Sequence, residues 1–480
     1  MPPDPPERAA RPEHDDRPGA GALTRGAIRA CAARGWQRVR SCRPRTILLI
    51  GFALFVIYGF PGSMSNDSVQ QLVEARTRQF SDAHPPLMAA EWGVLDSIVS
   101  GPFLMLVVQG AVFLAGLHAL LARVVAPRRA ALVAVALLLF PPVLTTLAVI
   151  WKDSQMVAYL IAGTACLTSP RGRTRLIGIA LIAVACAFRY NALAAALPLI
   201  GLLLEWPPGW RAWQRGAVAL LAVVAVAVVA AGITRALTVV PAQTPLQSGM
   251  AAYDIAGVLR YTRDRSDDDL REVLRGTPLR VTHDIQAAAR ALYSPRNGYD
   301  LIHGDRALFD SAPSPAEVDA LVRAWKELVL GDLGAYLRHR AAVSAELLGL
   351  TSEELWSPVY NRFVVTAAQS EQLQHRARWS SVQRAAARRL GQLADHSWMF
   401  RVYVYAAIAL VLVAVAVAWR DRLAAALLLS GLGYELSYVA LTASPDFRYS
   451  HWLIVCTCVA AVLLFVRRWR AGIADRRAVG

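Results

Sequence analysis

Four clusters of ionisable or polar residues flank or interrupt apolar sequence in this chain. They are Asp67 with His84, Lys152-Asp153, Arg189-Tyr190-Asn191, and Asp446-Phe447-Arg448-Tyr449. Charged groups beside long apolar runs are costly unless paired or put to use, so their types bear on chemistry. Asp67, in Ser65-Asn66-Asp67-Ser68-Val69-Gln70-Gln71, is a carboxylate of the kind that takes a proton from a hydroxyl. Its plainer role would be to cap a helix beginning at Ser68. His84 lies in Ala83-His84-Pro85-Pro86, where the prolines fix an extended turn; a solvated loop histidine is the alternative.

Lys152 is one of two lysines among 51 basic residues. A lysine retained in an arginine-rich chain points to a need for a compact ammonium, with phosphate as its natural partner. Against this stands an interfacial cation snorkelling beside Trp151. Asp153 has three readings: a pair with Lys152, a cap for the next helix, or a metal ligand. Arg189 offers a guanidinium suited to bidentate contact with phosphate, or a structural ion pair with Glu435. Asn191 stands at the same break, and Asp446 and Arg448 either face a site beside Tyr449 or bridge each other after Pro445.

These clusters need elements to hold them, and composition narrows the choice. The 480 residues are 55% hydrophobic and 18% charged with a mean hydropathy of +0.37, too apolar for a soluble chain of this length. Apolar residues gather in runs near the ~20 residues that cross a bilayer as helix, the open-ended structure that satisfies its own backbone in lipid. Ten such runs appear: Thr46–Pro61, Pro102–Ala122, Ala130–Ile150, Ser154–Thr168, Leu176–Phe188, Ala192–Leu204, Gly216–Thr234, Met399–Ala418, Leu423–Leu441 and His451–Val466. The expected fold is an all-α polytopic membrane protein with a mostly helical extracytoplasmic domain.

The net charge of +16 sits largely in short segments beside these runs, which argues for the positive-inside pattern and against nucleic acid. Splitting Leu176–Leu204 at Arg189 puts every short basic loop on one side, together with the termini. Residues 1–44 read as a disordered basic cytoplasmic arm, 45–236 as an N-terminal transmembrane module of about seven helices with a first outer loop at 62–101, and 237–398 as the extracytoplasmic domain. Residues 399–468 form a C-terminal module of about three helices, and 469–480 a cytoplasmic tail. Thr46–Pro61 is a signal anchor, since it lies too deep for a cleaved leader. Within the outer domain, Val318, Leu321, Val322, Trp325, Leu328 and Val329 recur at helical spacing after Ser314-Pro315-Ala316-Glu317, a helix start. The six cysteines fall in the basic arm or in apolar runs, so neither a disulfide framework nor a zinc site is expected.

With this topology all four clusters fall on the outer side. In layout they resemble the GT-C superfamily of polyprenyl-phosphate-sugar-dependent transferases, the group that includes protein mannosyltransferases and bacterial relatives. The resemblance is carried by Asp67 with Gln70, Gln71 and His84-Pro85-Pro86, by Lys152-Asp153, by Arg189-Tyr190-Asn191, and by Pro445-Asp446-Phe447-Arg448-Tyr449. Tyr253-Asp254-Ile255-Ala256-Gly257 and the stretch from Trp325 to Tyr336-Leu337-Arg338 add to it in the outer segment. Asn66 precedes Asp67, so an Asp-Asp metal motif is missing, and the outer domain is not the all-β module of some members.

The resemblance implies a cell inner membrane enzyme with both termini cytoplasmic, using a polyprenyl-phosphate sugar donor and a glycan, lipid or protein acceptor amid membrane lipid. It implies Asp67 as base assisted by His84, with Lys152, Asp153, Arg189, Asn191, Asp446, Arg448 and Tyr449 around the donor phosphate. No cofactor is required, and a divalent cation is left open. The competing readings are an O-antigen ligase or polymerase, which differs in donor chemistry, and a lipid-linked sugar transporter or flippase. The latter calls for mid-membrane charges and repeat symmetry, whereas Glu435 alone is acidic within the runs.

Overall fold

In the computed structural model the described residues are 42–205, 208–240, 246–351, 358–360 and 379–479. Nearly all of the arm assigned to 1–44 lies outside them. The described chain is all-helical, with isolated bridges such as Ser63 to Val149 in place of strands. The first membrane module comprises α1 (Pro44–Gly59), α2 (Asn66–Thr77), α3 (Leu87–Asp96), α4 (Phe103–Leu121), α5 (Pro127–Leu138), α6 (Pro141–Leu147), α7 (Lys152–Leu167), α8 (Gly172–Phe188), α9 (Leu193–Leu203) and α10 (Ala212–Leu237). The segment that the sequence leads one to expect outside, the outer domain of that expectation, supplies α11 (Leu246–Tyr261), α12 (Asp267–Val273), α13 (Ile285–Leu292), α14 (Pro315–Gly331), α15 (Leu333–Leu348) and α16 (Ser381–His396). The chain closes with α17 (Val402–Ala418), α18 (Arg422–Leu441) and α19 (His451–Val479).

Each of the ten apolar runs contains a helix, but they differ in reach. Among the described residues four helical stretches are long and apolar enough to cross a membrane: α4, α10, α18, and Phe447–Arg470, which runs into α19. A fifth is the pair α5 and α6, bent by 71°. The bend falls where Pro141 and Pro142 follow Phe140, because proline cannot donate into the preceding turn and opens a new helix instead. At 16 residues, α1 is roughly 24 Å long, less than the ~30 Å hydrocarbon core. The run Leu176–Leu204 is two helices. Its break comes at Arg189, whose backbone is extended (φ −146°, ψ 120°), and a 3-10 turn over Tyr190–Ala192 leads into α9.

Two cores result. One joins α4, α7, α8, α9, α18 and α19 around fully buried Phe113, Phe188, Tyr434 and Trp452. The other lies within the outer domain, where α11, α14 and α15 pack around Tyr253, Ile255, Leu259, Leu321 and Val343. The helix expected at 316–330 runs from Pro315 to Gly331, opened by the Ser314–Glu317 capping box, and buries Val318, Leu321, Leu328 and Val329.

The outer core is centred on Asp254. Its Oδ2 accepts from Trp325 Nε1 (2.8 Å), and its Oδ1 meets His339 Nε2 (3.0 Å) and Arg340 Nη2 (2.5 Å). All three ionisable groups are almost wholly buried, and the contacts shared through the carboxylate offset part of their desolvation. Burial, opposed by the Asp254 hydrogen bond, pushes the His339 ring down from its ordinary value. It therefore donates Nε2–H to the carboxylate, while Nδ1 accepts from the Tyr293 hydroxyl at 3.0 Å. The segments 253–257 and 325–338 picked out from the sequence thus meet or border one polar node.

Gly257 faces the His339 ring so closely that a Cβ there would overlap it. Gly257→Ala is expected to displace His339 and destabilise the outer domain by ~1–3 kcal/mol. Thermal unfolding of the purified protein followed by domain-specific proteolysis checks this; an unchanged midpoint would mean that the ring shifts freely.

Candidate active site

Asp67 is positioned by the way α2 begins. Ser65 is the N-cap, and its backbone N–H donates to Ser68 Oγ (3.1 Å), while the Ser68 hydroxyl donates to Ile150 O (2.6 Å). Ile150 N donates back to Ser63 O (2.9 Å), and Trp151 Nε1 to Ser65 Oγ (2.9 Å). The first outer loop is therefore laced to the segment that precedes Lys152. The capping reading of Asp67 is corrected: the cap is three residues earlier in the loop–helix junction than Ser68, and Asp67 sits inside the first turn with its carboxylate free to reach elsewhere.

Lys152 and Asp153 open α7 after a buried extended stretch at Val149–Trp151. Gln109 Nε2 donates to Leu147 O (2.5 Å) and Val149 O (3.0 Å), and Ser154 Oγ donates to Val149 O (3.0 Å). Backbone carbonyls in apolar surroundings need such donors, and here the donors also fix where α7 starts. Lys152 Nζ lies 2.7 Å from His84 Nδ1. Asp153 is fully buried and pairs with Arg189 through Nε (2.8 Å) and Nη2 (2.7 Å), not with Lys152. The expected alternative of an Arg189–Glu435 pair is likewise corrected, since Glu435 accepts from Ser450 Oγ at 2.8 Å. Asn191 Nδ2 donates to Ser437 Oγ (2.9 Å), tying the α8–α9 break to α18.

The fourth cluster closes the ring. Arg448 Nη2 donates to Asp67 Oδ2 (2.9 Å), while its Nε lies 3.1 Å from Asp446 and 3.9 Å from Asp153. The local Asp446–Arg448 bridge foreseen from the sequence exists, and the same guanidinium also spans 381 residues of chain to Asp67. Aromatic rings hold both guanidinium groups flat. Arg189 lies 4.7 Å from the Tyr449 centroid, Tyr449 stacks on Tyr438 at 4.7 Å, and Arg448 sits 4.8 Å from Trp151.

A cavity of about 640 Å³ opens over this arrangement, within the ~300–1,000 Å³ range of small-molecule sites. Asp67, His84, Lys152, Arg189, Asn191, Asp446, Arg448 and Tyr449 line it, with Asp153 beneath. The opposite wall comes from the outer domain: Gly249 and Met250 on α11, and Asn297, Gly298, Tyr299, Ile302 and His303 on a loop. Sequence reasoning missed this wall, because neutral loop residues in a polar segment give no periodic or charge signal. That loop is docked by Gly298 N to Ala443 O (3.0 Å) and Ser444 Oγ to Arg296 O (3.3 Å), and Arg340 Nη1 donates to Thr442 O (2.7 Å).

Burial alone would raise the Asp67 carboxyl, but Arg448, His84 and Lys152 together hold it well below the usual carboxylate range. Burial and then the Lys152 charge push His84 down to about 3, so its ring is neutral and Nδ1 accepts from the ammonium. Asp446 is pushed the other way: burial raises it to about 6 in spite of Arg448. Burial, and after it the Arg189 charge, push Lys152 down to about 7, so this amine and one carboxylate, Asp446, both titrate near neutrality. Asp67, Asp153 and Asp446 each contact a guanidinium, and among the described residues no three His, Cys, Asp or Glu side chains converge to hold a metal.

No family model, curated protein or solved structure matches the chain.

Asp153→Asn leaves the Arg189 guanidinium buried without its carboxylate, and breaking such a pair typically costs ~3–5 kcal/mol. The expected outcome is a thermal midpoint lowered by several degrees in detergent, measured by differential scanning fluorimetry. An unshifted midpoint would show that Arg189 finds another counter-charge.

Proposed function

We propose that the protein is a GT-C-type glycosyltransferase that moves a sugar from a polyprenyl-phosphate donor to an acceptor hydroxyl at the extracytoplasmic face of the cell inner membrane. The observation that carries this reading is the meeting of Lys152, Arg189, Arg448 and Asp67, from four distant segments, in one cavity beside long apolar helices. Lys152 is central. Its contact is a neutral imidazole and not a carboxylate, which leaves an ammonium with capacity for an anion. A lipid phosphate lies naturally at the membrane boundary, and the ten helical runs, full-length and short, would enclose its tail, with basic loops and both termini on the cytoplasmic side.

In the reaction, an acceptor hydroxyl attacks the anomeric carbon as the bond from that carbon to the phosphate oxygen breaks. The electron pair leaves on polyprenyl phosphate, whose growing charge is met by Lys152 and the two guanidinium groups. The hydroxyl proton passes to Asp67. In the resting site Asp67 is a weak base, because Arg448 holds it at 2.9 Å. An arriving phosphate competes for Arg448, and the carboxylate it gives up becomes the stronger base. His84 orients the ammonium and Asn191 keeps the α8–α9 break against α18.

Incubating the purified protein with a panel of polyprenyl-phosphate sugars should give donor cleavage or transfer. Asp67→Asn should lower that rate by ~10²-fold or more while membrane insertion is retained. Full activity in Asp67→Asn would remove Asp67 from the reaction, and an inert panel would sink the donor assignment.

The titration of Asp446 sets a second expectation. A sugar phosphodiester keeps one charge across the working range, so changes in its affinity report on the site. Ionisation of Asp446 above about pH 6 adds a negative charge beside Arg448, and Lys152 loses its proton toward about pH 7, so donor affinity should fall as pH rises from 5 to 7. Asp446→Asn should remove the part of that fall centred near pH 6 in tryptophan-fluorescence titrations and leave the part that belongs to Lys152; an equal slope near pH 6 in both proteins would assign the linkage elsewhere.

A further inference from the structure

The two walls of the cavity differ in kind. The membrane-side wall carries the charges, whereas the outer-domain wall contributes Asn297, Tyr299 and His303 and no carboxylate, lysine or arginine. Tyr299 and His303 stack with centroids 3.9 Å apart and ring planes within 4°, so His303 backs one face of the Tyr299 ring and the other face forms an aromatic step. Tyr299 remains 59% exposed although both rings line the cavity. An exposed ring held by a stacked neighbour is already ordered, so covering it costs little further entropy.

The hydrogen-bond roles around this step are fixed by its local contacts. His303 Nδ1 lies 3.1 Å from the Tyr299 carbonyl, which can only accept. Nδ1 therefore carries the proton, and in the neutral ring Nε2 is left as an acceptor. Asn297 Oδ1 accepts from Tyr299 N at 2.8 Å, which leaves its NH₂ group to donate. The wall thus presents one open face of the Tyr299 ring with the Asn297 amide as a neighbouring donor. Backbone groups that an extended peptide would pair with are already committed: Gly298 N to Ala443 O and Tyr299 N to Asn297.

We infer that this wall is the acceptor subsite and that the acceptor is a saccharide, its ring stacked on the face of Tyr299 that His303 leaves open and a hydroxyl accepting from the Asn297 amide. A pyranose ring has an apolar C–H face that suits an aromatic ring and a rim of hydroxyls that can accept from such a donor. The grip of Thr442–Ser444 on the loop fixes Tyr299 in the cavity that Asp67 and Arg448 also line, so a bound saccharide would share that space with the charged residues. The inference rests on the transferase reading for what happens to the sugar, but not for whether the wall binds one.

The test uses the full chain in nanodiscs. Saturation-transfer NMR with a panel of short oligosaccharides should show contact in the unaltered protein. The contact should weaken about tenfold in Tyr299→Ala and be largely kept in Tyr299→Phe, which retains the flat ring. Binding of a polyprenyl-phosphate sugar, followed separately by tryptophan fluorescence, should be unchanged in both variants. Where a donor is consumed, Tyr299→Ala should raise the KM for the saccharide about tenfold and leave that for the donor alone. No saccharide contact, or equal contact in wild type and Tyr299→Ala, overturns the subsite. Transfer to peptides or lipid alcohols with saccharides inert overturns the acceptor class. Loss of donor binding in the unaltered protein would instead strike the transferase reading, with the saccharide measurement still deciding the wall.

Discussion

The charged cavity depends on compensating two largely buried guanidinium groups, Arg189 and Arg448, where water is scarce. Removing an ion from water costs several kcal/mol even after relaxation, and a counter-charge at 4 Å returns only ~4 kcal/mol at an effective dielectric near 20. One partner per charge therefore does not suffice. The chain answers with shared partners: Arg448 touches Asp67, Asp446 and, more distantly, Asp153, while Asp153 also takes two donors from Arg189. The rings of Tyr449, Tyr438 and Trp151 meet the guanidinium faces that carboxylates leave uncovered.

That network explains features of the fold that propensity alone would not produce. Arg189 stands at the break between α8 and α9, where the extended backbone and the following 3-10 turn accompany its pairing with Asp153. The bend between α5 and α6 serves the same end from the other side, delivering Val149–Trp151 as a buried extended segment that Gln109 and Ser68 can hold. Short helices and kinks are thus concentrated where the ions are, and the straight helices α4, α10 and α18 lie around them.

Much of this was legible in the sequence, for identifiable reasons. Apolar runs give helices because lipid leaves the backbone no other partner, and every run does contain one; their lengths were less readable, since Pro141-Pro142 and Arg189 cut runs that hydropathy alone draws as continuous. The α14 start was visible because a capping box is local chemistry. Which residues would be near one another at the outer face followed from counting spans. The pairing did not: Asp153 had Lys152 as its sequence neighbour, yet chose Arg189, because side chains at adjacent helix positions diverge by about 100°. The outer-domain wall was invisible for a different reason, since Asn297, Tyr299 and His303 owe their place to docking against Ala443 and Ser444 and not to any pattern of their own.

The Asp254 node shows how the outer domain and the charged wall are made one object. Arg340 uses one nitrogen for Asp254 and another for the carbonyl of Thr442, four residues before Asp446. The same guanidinium thus joins the buried carboxylate to the Thr442 carbonyl, so the outer core and the loop before Asp446 share one side chain. The loop bearing Asp446 and Arg448 is thereby anchored from above by the outer core and from below by Asp67 and Asp153. Such a loop has little freedom to move alone. A change in the ion network has to be accommodated by Arg448 rotating within its aromatic cradle, the one charged side chain there that touches all three carboxylates.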